Sequence, residues 1–198
     1  MQDFQRPDDQ TVAEPFEGLA ADASARLNRL AETVRARRPK SVGSLDFELG
    51  WLAEPAKLSE IDRELKAWVK GKSRFVYRFK ALEPDSYVKL TEAFDGKPLK
   101  TGDKDLRYSR MNAPASPRAL YVGSSNGRFA DRISCHLGRL AAAGTYAMKL
   151  AQWATAVPAT MRFDYWSYAK DIDQIELEAL EQELWDACTP LLGKRSGK

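Results

Sequence analysis

Aromatic and basic residues alternate strictly over 74–80. Phe75, Tyr77 and Phe79 fall on one side and Arg74, Arg78 and Lys80 on the other, the period-two signature of a half-buried strand. A second short apolar run, Ala119, Leu120, Tyr121 and Val122, stops at Gly123 and predicts another strand. A third is predicted where Met161, Phe163 and Tyr165 alternate with Arg162, Asp164 and Trp166. Helical spacing takes over between and after them. Phe129, Ile133, Leu137 and Leu140 form one apolar stripe, and Tyr146, Leu150 and Trp153 predict a further helix over 145–156. Leu177, Leu180, Leu184 and Cys188 predict a closing helix that runs to Pro190. That last helix opens on Asp171-Ile172-Asp173-Gln174, which has the character of a capping box.

Upstream of the first strand the pattern is helical. Leu19, Leu27, Leu30, Ala31 and Val34 are spaced for a stripe over 19–38. Ile61, Leu65 and Trp68 form another, with Ser59 as its cap, before Lys70-Gly71-Lys72-Ser73 closes it. Pro39 and a turn over 41–44 separate the two, and residues 1–17, acidic and carrying Pro7 and Pro15, read as a flexible arm. Residues 81–117 are polar and rich in turn formers, so they read as an insertion between the first two strands. The predicted fold is therefore α+β, a small three-stranded sheet flanked by helices with a helical N-terminal extension. Its domains would be 1–73 and 74–198, the second interrupted at about 81–117.

Composition narrows the classes. A chain of 198 residues with 43% hydrophobic and 30% charged residues suits a folded globular protein, and no apolar run approaches the ~20 residues of a membrane-spanning helix. The first ten residues lack the apolar segment of a signal peptide, so a cytoplasmic location is expected. The two cysteines, Cys135 and Cys188, are far apart and suggest neither a zinc knuckle nor a disulfide framework. A net charge of +3 does not by itself identify a polyanionic partner. The acids gather at the N-terminus, however, and the remainder is more basic than the average. Arg26, Arg29, Arg35, Arg37 and Arg38 either face phosphates or form an ordinary solvated helix surface.

The candidate chemistry lies in the order of a few residues. Tyr121-Val122-Gly123 leads into a helix bearing Arg132 and the only histidine, His136, one turn apart, and a late helix carries Glu181 ahead of Pro190. With Phe75-Val76-Tyr77 as the first motif and Tyr121-Val122-Gly123 as the second, the stretch from Arg74 to Lys194 resembles the GIY-YIG nuclease family, and His136 matches its restriction-enzyme branch. Phe75 stands where the first motif has glycine, and Gly193 where many relatives have an asparagine.

The resemblance implies a metal-dependent DNA endonuclease, of restriction or defence type or else a structure-selective repair nuclease. A DNA-binding or assembly protein that has lost turnover is the non-enzymatic alternative. The implied catalytic residues are Tyr77, Tyr121, Arg132, His136 and Glu181, with Glu181 the ligand of Mg2+ or Mn2+. Gly123, Ser124 and Arg128 would lie against the nucleic acid. One carboxylate suffices for a hydrated magnesium ion, and the planar guanidinium of Arg132 suits phosphate oxygens. Tyr77, Tyr121 and His136 all remain open as the group that handles the proton of the attacking water. DNA is the implied partner, and because restriction members often pair, so is a homodimer.

Overall fold

A computed structural model describes residues 10–72, 74–114, 116–139 and 144–195, with side chains described from Gly18 onward. The predicted positions Ser73 and Leu140, and residues 1–9 of the acidic arm, lie outside the described residues.

The chain divides into two compact units, the first ending at Arg37. Its described part is one helix, α1 (Gln10–Ala36), which begins earlier than the sequence pattern suggests and takes up residues 10–17 of the expected arm. Its apolar side chains find little cover, Leu19 being 65% and Leu27 66% exposed.

The second unit, Arg38 onward, unites residues 38–72 with the strands that carry the motifs. In it, β1 (Ser41–Glu48) is followed by a 3-10 turn over Leu49–Ala53, α2 (Pro55–Val69) and β2 (Arg74–Ala81). Then come α3 (Ser86–Asp95), a small hairpin of β3 (Lys100–Thr101) and β4 (Lys104–Asp105), β5 (Tyr121–Asn126), α4 (Phe129–Leu137), β6 (Thr160–Tyr168) and α5 (Gln174–Cys188). No described helix is long and apolar enough to cross a membrane.

The α+β class holds, but the main sheet has four antiparallel strands, in the order β1-β6-β2-β5, rather than three. The fourth, β1, occupies the segment expected to turn at 41–44. Its pattern is weak because Gly43 sits under the ring of Tyr165, where an added Cβ would lie 2.6 Å from the ring. The strand is nonetheless fully paired, from Ser41 opposite Ser167 to Glu48 opposite Thr160.

A second correction concerns 145–156, where no α-helix forms. The chain makes a short 3-10 turn at Leu150–Gln152 after Lys149 adopts a left-handed φ of 54°. Leu150 and Trp153 do point inward, but Tyr146 is 60% exposed. Two sequence signals are met closely. Asp173 and Glu176 form a reciprocal capping box at the start of α5, and Gly138, at φ 90°, ends α4 in a left-handed cap.

Packing is two-sided. Phe75, Tyr77 and Phe79 of β2 point into the larger core with Phe129 and Ile133 of α4, Leu65 of α2 and Phe163 of β6. The other face carries Val76 with Leu177 and Ile172, and Val122 with Ala119 and Cys188, under α5. Phe75 accounts for its own departure from the glycine motif: its ring stacks on Phe129 at 3.9 Å and ties the strand to α4. Burying such a ring completely contributes about 2–3 kcal/mol.

Candidate active site

Edge strand β5 positions the site. Tyr77 of β2 lies opposite Gly123, and Phe79 opposite Tyr121, so the two tyrosines of the paired motifs project from neighbouring strands toward the same face. Their rings lie 6.2 Å apart and nearly parallel. Glycine is required between them, since a Cβ at 123 would fall 2.8 Å from both Tyr121 and the Tyr77 hydroxyl. Gly193 does the same on the outer side. At φ 114° it lies under the Tyr121 ring, and a Cβ there would sit 3.0 Å from the ring edge. The amide nitrogen of Asn112 donates to the carbonyl oxygens of Pro190 and Gly193 and fixes this segment.

From α4, Arg132 and His136 reach the same tyrosines. Arg132 donates to the Tyr121 hydroxyl at 3.1 Å and to the Tyr146 carbonyl at 3.2 Å. His136 Nε2 lies 3.1 Å from the Tyr77 hydroxyl, and the Met148 backbone N–H donates to His136 Nδ1 at 3.3 Å. A ring nitrogen that accepts cannot carry the proton of a neutral imidazole. The ring is therefore the Nε2–H tautomer, donating to the Tyr77 oxygen.

Glu181 approaches from the opposite face of the sheet. It accepts a hydrogen bond of 2.5 Å from Ser124, whose side chain leaves β5 on the α5 side. Around the sheet edge the cleft is about 640 Å³, a size suited to a small ligand or one nucleotide unit. Tyr121, Gly123, Ser124, Arg132 and Glu181 all line it. Tyr77 and His136 stand behind Tyr121, fully buried, and Arg128, exposed at the start of α4, is not in the lining.

The electrostatics follow from burial. Burial pushes the Tyr77 phenol well above its ordinary range; Tyr121 and Glu181 add to that and Arg132 opposes it. Burial raises Tyr121 too, again against Arg132. Burial alone would lower Arg132, but the two phenols outweigh it and the guanidinium is held more firmly protonated than usual. His136 is driven well below the ordinary histidine range by burial, then by Arg132 and Lys149, and so stays neutral.

That shift has a consequence for stability. Unfolded histidine takes up a proton below pH ~6.5 while the folded ring does not, so the unfolded state binds more protons and stability falls as pH drops below that value. The loss develops between pH ~7 and ~5, as the unfolded ring takes up its proton. Urea unfolding of the wild type and of His136→Gln at the two pH values measures it. The variant is expected to lack that portion of the acid slope, and parallel slopes would show that His136 is not neutral in the folded protein.

Part of the cleft could not be read from motifs. Tyr108, Ser109 and Arg110 come from the insertion and Gly193, Lys194 and Arg195 from the tail. They meet through backbone pairing: the Gly193 N–H donates to the Arg110 carbonyl, and the Ser109 N–H to that of Ala147. Their only sequence signal is basic residues beside aromatics. Among the described residues no group of three or more histidine, cysteine or acidic side chains converges, so the donor set does not fit a fully protein-ligated metal such as structural zinc. A single buried carboxylate at an open cleft does fit a hard cation that keeps its waters.

No family model, curated protein or solved structure matches the chain.

Proposed function

We propose that the chain is a divalent-metal-dependent DNA endonuclease of GIY-YIG type, hydrolysing phosphodiester bonds in the cleft at the β5 edge. One observation carries this reading. Tyr121, Arg132 and Glu181, from β5, α4 and α5, line one cleft, and Tyr77 and His136 are hydrogen-bonded to each other behind Tyr121.

Each group then has a task. Arg132, permanently charged and fixed by two acceptors, clamps the phosphate oxygens on which charge accumulates. Tyr121 faces the cleft and, protonated at neutral pH because burial raises it, orients the attacking water through its hydroxyl. Tyr77, buried behind it and held by the Nε2–H of His136, fixes the ring on which Tyr121 rests. His136 in that tautomer is a donor and not an acceptor of the Tyr77 proton, which favours a positioning role over a relay. Glu181, oriented by Ser124, would hold Mg2+ or Mn2+, which when bound neutralises charge on the phosphate and at the leaving 3′ oxygen.

The sequence-specific, restriction-type version is favoured by Arg110, an exposed side chain that the insertion brings to the cleft wall, since a nuclease that reads bases needs side chains beyond the catalytic set. Incubating the protein with plasmid DNA and Mg2+ tests it. Discrete fragments are expected; junction-dependent nicking would replace restriction with repair. No cleavage with any divalent ion on duplex, branched or single-stranded DNA would defeat the enzymatic reading.

A further inference from the structure

Helix α4 carries two of the site residues and is fastened from behind. At about 100° per residue, Ser134 lies about 200° around the helix from both Arg132 and His136, so it faces away from the cleft. There it meets Asp62 of α2, a carboxylate only 1% exposed. Ser134 Oγ and Arg139 Nη1 both donate to Asp62, and Lys66, one turn along α2, completes the ring of donors at 2.8 Å. Arg139 is delivered by the left-handed Gly138, after which the Arg139 N–H turns back to the Ser134 carbonyl. A buried carboxylate is costly unless its acceptor capacity is filled, and here two cations and a hydroxyl fill it.

We propose that Asp62 is a positioning residue for the active site, holding α4 in the rotation and height at which Arg132 and His136 meet Tyr121 and Tyr77. This deepens the nuclease reading and gives α2, which lies ahead of the motifs, a part in catalysis. The front of α4 is held by uncharged partners alone, Arg132 by the Tyr121 hydroxyl and the Tyr146 carbonyl and His136 by the Tyr77 hydroxyl and the Met148 N–H. The back is fixed by a charged cluster on one carboxylate. Loosening the back lets the helix turn or slide, and a displacement of about 1 Å at a catalytic group costs on the order of 100-fold in rate.

The protein supplies its own reporter, because His136 is the only histidine. Its ring gives one set of NMR signals that reads the position of α4 whether or not DNA is cut. Asp62→Asn, close in shape, and Ser134→Ala, which leaves the charge cluster in place, are compared with the wild type well below their melting temperatures. The expected result is a displaced His136 ring signal in both, larger for Asp62→Asn, together with kcat on DNA lowered by about 10- to 100-fold at little change in KM. Should Asp62→Asn fail to fold, Ser134→Ala carries the test alone. An unmoved His136 signal and unchanged kcat, with only the melting temperature lowered, would overturn the proposal and leave Asp62 a purely stabilising residue. A displaced signal in a protein that cleaves no DNA would uphold the positioning role and defeat the nuclease reading instead.

Discussion

Replacing Arg132 with alanine is expected to lower kcat for DNA cleavage by about 1,000-fold or more, with the protein still folded at room temperature. The size follows from the task proposed for the group. Arginine forks that meet transferring phosphates supply factors of about 10³–10⁵, and in this cleft Arg132 is braced by the Tyr121 hydroxyl and the Tyr146 carbonyl before any substrate arrives. Lysine at 132 keeps the charge but loses the planar fork, so Arg132→Lys is expected to recover little of the rate. Removing the guanidinium leaves the Tyr121 hydroxyl and one backbone oxygen without that partner, at a cost of about 1–3 kcal/mol, which a folded domain can absorb. Single-turnover cleavage of plasmid DNA with saturating Mg2+, beside a thermal melt, separates the two effects. A variant with near-normal kcat would remove Arg132 from the reaction.

The same residue marks where the sequence was informative. Strands β2, β5 and β6 and helices α4 and α5 were visible because each buries a stripe of large side chains at its own period. The five candidate residues sit on those elements, but that Tyr121, Arg132 and Glu181 line one cleft while Tyr77 and His136 are buried behind it comes from tertiary packing, which order along the chain does not give. Strand β1 was hidden for a packing reason: where Tyr165 covers the strand only glycine fits, and Gly43 breaks the alternation that would have revealed it. The stretch 145–156 misled in the opposite sense. Leu150 and Trp153 are buried three residues apart, but from a loop bent at the left-handed Lys149, and periodicity cannot tell a helix from a loop that dips twice into the core. Helix α3 lay unannounced among the turn formers of the insertion.

The walls of the cleft were illegible for another reason. Arg110 and Lys194 reach it because strand-like backbone pairings dock two irregular segments beside β5, and backbone pairing leaves no mark on side-chain patterns. Asn112 is the clearest case. The resemblance directs attention to the asparagine missing at Gly193, yet Gly193 is the residue that fits beneath Tyr121, and an asparagine from the insertion braces it. Asp62 gave no signal either. A carboxylate on the inner side of an amphipathic helix looks like one more exposed acid until Ser134 and Arg139 are brought against it.

Glu181→Gln is the second change with a large expected effect, and it tests the metal separately from the phosphate clamp. Glutamine is nearly isosteric and its carbonyl oxygen still accepts the bond from Ser124, so β5 and α5 should stay joined. What goes is the negative charge at the only buried acid lining the cleft. A loss of about 1,000-fold in kcat, equivalent to about 4 kcal/mol of transition-state stabilisation, is expected on the proposed reading, in which a cation held there would neutralise the phosphate. Titration with Mn2+ followed by its paramagnetic signal should show one bound ion in the wild type and in Arg132→Ala, and none at the same concentrations in Glu181→Gln. Glu178→Gln is the control, because that acid lines the same cleft one turn earlier on α5 and is half-buried. If Glu178→Gln rather than Glu181→Gln abolished ion binding and cleavage, the metal would belong one turn along the helix. The carboxylate held by Ser124 would then join the sheet to α5 and nothing more.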